Sequence, residues 1–149
     1  MRAVAQRVSE ARITVAGEQV GAMGEGLLAL VGVASDDGEG DARELAAKLL
    51  NLRVFPDAEG RMNRSLLEAG GTLGVVSQFT LLGDARKGRR PSYASAAAPE
   101  HAEPLIERLV LEARSQGVSV VTGRFRAEMR VALVNSGPVT LLLDTKRQF

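Results

Sequence analysis

The sequence predicts a β-rich α/β protein, a compact β-barrel-like sheet flanked by two helices, and three observations carry that expectation. Short apolar segments, alternating or continuous, open and close the chain; two longer segments between them repeat at helical spacing; glycine or proline punctuates most junctions. The 149 residues are 45% hydrophobic, enough to bury a core within one domain spanning residues 1–149.

In chain order, Arg2–Ser9 and Ala11–Val15 read as strands, the second with Ala11, Ile13 and Val15 alternating against Arg12 and Thr14. Ala16-Gly17-Glu18 turns the chain and Gln19–Met23 returns it. Gly24-Glu25-Gly26 leads into Leu27–Val33, whose unbroken apolar run suits a strand buried on both faces. An antiparallel meander is the economical arrangement of these pieces. Asp41–Leu52 is helical by pattern, with Leu45, Leu49 and Leu52 on one stripe and acids near its start, where the helix dipole favours them. Val54-Phe55-Pro56 is extended, because the residue before proline is pushed out of the helical region. Residues 57–61 turn, Met62-Asn63-Arg64-Ser65 is a polar loop, and Leu66–Gly71 leads to the strand Leu73–Val76.

A basic loop follows at Asp84–Pro91, then a second helix over Pro99–Gln116, with proline at its start and Gly117 just beyond its end. The last strands are Val118–Thr122, Met129–Val134 and Val139–Asp144. Between the final two lies Asn135-Ser136-Gly137-Pro138, open to two readings. It is a hairpin turn, or a segment whose proline-fixed φ and glycine freedom aim backbone carbonyls away from the ladder.

Composition narrows the chemistry. The chain has no cysteine and one histidine, His101, which sits in the first turn of the second helix beside Glu100 and Glu103 and reads as a surface residue. Thiolate nucleophiles, disulfides and thiolate metal sites are excluded, and neither a zinc site nor a histidine-based triad has its material. No metal and no cofactor are expected. A formal net charge of +1 leaves any RNA contact to a local patch, and Arg86, Lys87, Arg89 and Arg90 supply four cations in five residues. No segment reaches the roughly 20 apolar residues of a membrane helix and no signal peptide opens the chain, so a cytoplasmic protein without membrane or DNA partners is expected. Ser77-Gln78-Phe79-Thr80 clusters polar side chains and amides at a strand end. Ser77 or Thr80 as a nucleophile lacks an activating base, which favours a site built from backbone groups.

Five segments together, Met1–Val8, Met62–Ser65, Ser77–Leu81, Arg86–Pro91 and Asn135–Thr140, resemble the D-aminoacyl-tRNA deacylase family in order and spacing over almost the whole chain. The resemblance implies a homodimer of barrel-like subunits hydrolysing the ester between a D-amino acid and the terminal adenosine of tRNA. A cis Gly137-Pro138 pair would enter the partner subunit's pocket, capture the substrate amine with its carbonyls and exclude L side chains. Glycine lacks the discriminating group, so glycyl-tRNA, including glycine mischarged on tRNA-Ala, is an implied substrate. Ser77, Gln78, Phe79 and Thr80 would form the opposite catalytic wall, with amides near Gln78 and Phe79 at the oxyanion and water attack assisted by the RNA 2′-hydroxyl. Arg7 would brace the Gly-Pro segment, Met129 would line the adenosine pocket, and Arg86, Lys87, Arg89 and Arg90 would hold tRNA. The sequence departs from the family pattern at Arg126, where glycine is common, and at Ser136, where aspartate is common. A non-catalytic tRNA-binding module is the alternative.

Overall fold

A computed structural model describes residues Met1–Phe149. Its organising element is β1 (Arg2–Val15), which has β-sheet partners along both edges. The two strands expected over this stretch are one. The irregularity near Ser9 lies in the ladder, where the register shifts between Val8 and Glu10, and the chain itself continues.

β2 (Glu18–Met23) returns antiparallel along Ala11–Val15 through a turn in which Ala16 (φ 49°) and Gly17 (φ 80°) both take positive φ, the twist that a tight hairpin favours. β3 (Gly26–Gly32) then pairs with the first half of β1, Arg2↔Gly32 through Val8↔Gly26, and not with β2. The expected meander is therefore corrected. A 14-residue strand is long enough to hold two successive partners, so Gly24 and Glu25 carry the chain onward without folding it back.

The rest of the sheet is parallel. β3 pairs with β6 (Thr72–Ser77), and β6 with β7 (Val120–Thr122), in the order β2-β1-β3-β6-β7. Parallel neighbours need long crossovers. The first contains helix α1 (Glu39–Asn51), the strand pair β4 (Phe55–Pro56) and β5 (Met62–Arg64), and the short helix α2 (Leu66–Ala69). The second contains a single 3₁₀ turn, Phe79–Leu82, and helix α3 (Pro99–Ser115). Met62–Arg64 was expected as loop; Phe55 aligns with Arg64 and makes it a strand. Ser65 caps α2 reciprocally, its hydroxyl accepting from the Glu68 amide and its amide donating to the Glu68 carboxylate.

β8 runs from Arg130 to Asp144, pairing with β1 from end to end, and absorbs both of the last expected strands. Met129 falls just before it.

The main core lies between the sheet and the paired helices α1 and α3, where Leu27, Leu45, Leu49, Leu73 and Leu109 are fully buried. A smaller core fills the barrel side: Val8, Ile13, Met23, Leu28 and Val76 pack with Val20 of β2 and Val121 of β7, which brings the sheet's two ends together. β3 contributes Leu27, Ala29 and Val31 to one core and Leu28 to the other, the reason its apolar run is continuous.

Candidate active site

β8 does not turn at Gly137-Pro138. Gln6 aligns with Thr140 and Val8 with Asn135, so two steps along β1 correspond to five along β8, and the residues between are pushed out of the ladder as a bulge. The hairpin reading is corrected, because the strand direction is the same on both sides. Of the two readings, the ejected backbone segment is the one observed.

Two side chains fix that bulge. The Asn135 carboxamide closes it from within, accepting from the Val139 amide (2.7 Å) and donating to the Val139 carbonyl (3.2 Å) and the Thr140 hydroxyl (3.0 Å). Arg7 closes it from beneath. Its Nε donates to the Ser136 carbonyl (2.8 Å) and its Nη1 to the Val54 carbonyl (2.5 Å), tying β1, the bulge and the segment before β4 together. Gly137 sits at φ 148°, and a Cβ there would lie 2.7 Å from Val139 Cγ2 and 2.8 Å from the Val139 nitrogen, so glycine is demanded by both conformation and space. The Gly137–Pro138 bond is cis, and both residues are exposed.

A cleft of about 570 Å³ is lined by Ser77, Gln78, Phe79, Phe125, Arg126 and Met129 among mostly apolar residues, including some of β3, β6, α3 and β8. Of the wall expected from sequence, Ser77, Gln78 and Phe79 line it and Thr80 does not; Met129 does. Gly137, Pro138 and Arg7 are not among its lining residues. One chain thus carries a cleft and, apart from it, an exposed rigid loop.

The wall is built by the strand-to-turn transition. β6 ends at Ser77, and the Gln78 amide is already donated to the Val31 carbonyl (2.7 Å), which removes it as a donor to ligand. The first hydrogen bond of the 3₁₀ turn runs from the Leu81 amide to the Gln78 carbonyl (3.2 Å), so the Phe79 and Thr80 amides precede it and belong to the unsatisfied start of the turn. Of the two amides expected to serve an oxyanion, that of Gln78 is engaged within the sheet and that of Phe79 is not. The Gln78 carboxamide donates to the Thr80 hydroxyl, and no general base stands by that hydroxyl among its hydrogen-bond partners. Phe79, 59% exposed, meets Tyr93 edge to face at 5.2 Å between ring centroids. Tyr93 was not expected here; thirteen residues separate the two rings in sequence.

The basic loop is only partly free. Arg86 is bound to Asp84 by Nε (2.9 Å) and Nη2 (2.6 Å); these bonds hold the Asp84 carboxyl well below the usual carboxylate range and push Arg86 up. Lys87, Arg89 and Arg90 are exposed and form no ion pair. Asp84 and Ser92 pair across the loop base, their amides and carbonyls exchanged at 2.8 and 2.9 Å. His101 is exposed, its Nε2 2.8 Å from the Asp37 carbonyl, and it is not among the residues lining the cleft.

Of the two departures from the resembled pattern, Arg126 is the more visible. It keeps the left-handed conformation glycine would take, at φ 64°, and lines the cleft. Ser136 contributes its carbonyl, which any residue could supply, to Arg7.

Comparison with known proteins gives a consistent result. The profile of a family described as D-Tyr-tRNA(Tyr) deacylase matches residues 4–144. The chain is 58% identical over 149 residues, the whole of both chains, to a D-aminoacyl-tRNA deacylase of Syntrophobacter fumaroxidans. It is 61% identical over 145 residues to a D-aminoacyl-tRNA deacylase of Roseiflexus sp., covering 97% of this chain and 94% of that one. Among solved structures, a c-Myc DNA unwinding element binding protein superimposes with a TM-score of 0.91 at 36% identity, over 97% of this chain and 99% of that one. A probable eukaryotic D-amino acid tRNA deacylase shares the fold, with a TM-score of 0.83 at 20% identity over 95% and 97% of the two chains.

Proposed function

The chain belongs to the D-Tyr-tRNA(Tyr) deacylase family, and from that premise we propose how its residues carry out the hydrolysis of D-aminoacyl-tRNA. The activity is that of a hydrolase acting on the ester that joins a D-amino acid to the RNA 3′ end, a proofreading step in translation. The working unit is a homodimer of one-domain chains in which the Gly137-Pro138 loop of each copy enters the cleft of the other.

One observation carries this reading: the rigid Gly137-Pro138 bulge stands exposed while the cleft formed by Ser77, Gln78 and Phe79 lies elsewhere on the same chain. A loop so heavily braced has a job outside its own fold. β8 has β1 on one side only and carries exposed Val134 and Leu142, surface suited to a second copy.

In the joined site the loop carbonyls take the substrate amine, and the backbone wall leaves no volume for a side chain of L configuration. Exclusion by backbone is indifferent to what the side chain is, so one site serves many D-amino acids. Glycine escapes it, which makes glycyl-tRNA, including glycine on tRNA-Ala, a substrate. The Phe79 and Thr80 amides face the developing oxyanion, and Met129 lines the seat of the terminal adenosine. Since Thr80 is held by Gln78 without a base, water attacks the ester carbonyl with help from the RNA 2′-hydroxyl, and the ester breaks to free amino acid and tRNA. Lys87, Arg89 and Arg90 hold the tRNA backbone, and Arg86 does so only on leaving Asp84. The setting is cytoplasmic, alongside translation.

The test is ester loss from matched D-tyrosyl-, L-tyrosyl- and glycyl-tRNA. The D and glycyl esters are expected to be cleaved and the L ester spared. tRNA binding without cleavage of any ester would replace the deacylase with a tRNA-binding module.

A further inference from the structure

The cleft has a neighbour. A second cavity of about 470 Å³ shares Ser77, Ile106 and Phe125 with it. Arg126 lines only the first cavity and Arg124 only the second, so two cations flank a shared aromatic residue. Both are exposed, and neither enters an ion pair or a side-chain hydrogen bond; the arginines that do are Arg2, Arg7, Arg43, Arg53, Arg61, Arg64, Arg86, Arg108 and Arg114. The second cavity is also lined by Glu103 and Glu107 of α3, exposed and likewise unpaired, and by Arg114, whose Nη2 donates to the Val120 carbonyl at 3.4 Å.

Arg126 also holds an unfavourable backbone. A left-handed φ is disfavoured for a residue with a Cβ and free for glycine. Local packing supplies no reason for a long cationic side chain there, since the guanidinium has no partner in the chain. A ligand with a negative charge at the mouth of the cleft would supply one.

Resting on the deacylase reading above, we propose that Arg124 and Arg126 grip the phosphodiester joining the last two nucleotides of the RNA, and that the second cavity seats the penultimate nucleobase. The charges assign the parts. Glu103 and Glu107 oppose a phosphate inside the second cavity, so the anion lies on the ridge at Phe125, between the two guanidiniums. The same carboxylates accept hydrogen bonds from an exocyclic amine, such as that of cytosine, while Phe125 offers a ring for the base to stack on. The RNA end would thus be read in two compartments, terminal nucleoside in the cleft and the preceding one beyond Phe125.

The experiment is calorimetric binding of the RNA trinucleotide CCA, uncharged with amino acid, across a salt series. For the full-length protein, affinity is expected to fall with salt. In the Arg124→Ala/Arg126→Gly double variant it is expected to be about fivefold weaker at low salt, with the log–log salt slope reduced by about 0.7, one single-strand phosphate. Arg126→Lys retains the charge and is expected to keep the slope. Glycine suits φ 64°, so the thermal midpoint of Arg126→Gly should not fall below that of the parent, which separates lost affinity from lost fold; Arg124→Ala alone provides the second variant. An unchanged slope in the double variant, or no trinucleotide binding by the parent, overturns the proposal. The assay needs no ester cleavage. A parent that binds CCA through these arginines but spares D-aminoacyl-tRNA would overturn the deacylase reading alone, whereas stereospecific turnover with an unchanged slope would overturn this one alone.

Discussion

At the scale of single residues, the bulge in β8 rests on side chains that hold backbone in place. Arg7 is the clearest. It spans the Ser136 and Val54 carbonyls with one planar fork, which a lysine cannot reproduce. Arg7→Ala is expected to cost about 2 kcal/mol in urea unfolding, the cost of two carbonyls losing a charged donor, and to lower kcat/KM on D-tyrosyl-tRNA by about tenfold or more. Arg7→Lys should rescue little of either; full rescue would reduce Arg7 to a carrier of charge. Arg7 was legible in the sequence only through resemblance, because an arginine within an alternating strand has the same appearance as a solvated one. Asn135 went unread. Its role consists of three bonds inside a six-residue segment, and an asparagine before Ser-Gly-Pro is equally at home in a simple turn. The engagement of the Gln78 amide is hidden from sequence for a related reason, since which amides a strand end leaves free depends on how far its ladder with the neighbouring strand runs, here to the Val31 carbonyl.

At the scale of elements, the wall of the cleft is positioned by β3. Gly32 ends that strand directly beneath the 3₁₀ turn, where an added Cβ would lie 2.6 Å from Leu82 Cδ2, 3.0 Å from the Gln78 carbonyl oxygen and 3.1 Å from Leu81 Cβ. Leu82 can swing its terminal methyl; the Gln78 backbone must move. Gly32→Ala is therefore expected to destabilise by about 1–3 kcal/mol as overpacking does and to lower kcat as the Phe79 and Thr80 amides are displaced, measured by thermal melting together with single-turnover ester hydrolysis. An unaltered kcat would mean that the turn is not part of the catalytic wall. Helices α1 and α3, the turn at Ala16-Gly17 and the buried run of β3 were legible because each rests on periodicity or turn chemistry within a short stretch of sequence; the four-residue α2 was too short to show a period. The pairing of β3 with the first half of β1, the parallel partners β6 and β7, and the fusion of the last two strands around a bulge were not. They are decided by which edges of β1 remain open, a property of the assembled sheet.

At the scale of the whole molecule, the chain's ends are tied to the start of α1 and to the turn just before it. The Thr145 hydroxyl donates to Asp41 at 2.6 Å, Lys146 lies 3.3 Å from the same carboxylate, and the N-terminal ammonium binds Asp37 at 2.7 Å. Burial pushes the Asp41 carboxyl up, but bonds from Thr145, the Gly38 amide and Lys146, with the nearby N-terminal charge, outweigh it and bring it down to about 2. A carboxyl depressed on folding stabilises fully above its unfolded value of 3.8 and loses that contribution as pH falls through the folded value. With Asp41 only 15% exposed, about 2 kcal/mol of stability should vanish between pH 4 and 2. The loss is expected to be correspondingly smaller in Asp41→Asn, followed by urea unfolding at each pH; an identical acid limb in both proteins would contradict the assignment.

The same scale holds the central claim, that a working site takes its loop from one copy and its cleft from another. Two variants of the full chain, Gly137→Ala/Pro138→Ala in the loop and Gln78→Ala in the cleft, should each have little D-tyrosyl-tRNA deacylase activity alone. Mixed, unfolded and refolded together, they should recover up to about one quarter of the parent's activity, because half the dimers would be mixed and each would hold one intact site. A mixture no more active than its parts would contradict the shared site and place the loop and cleft in separate roles.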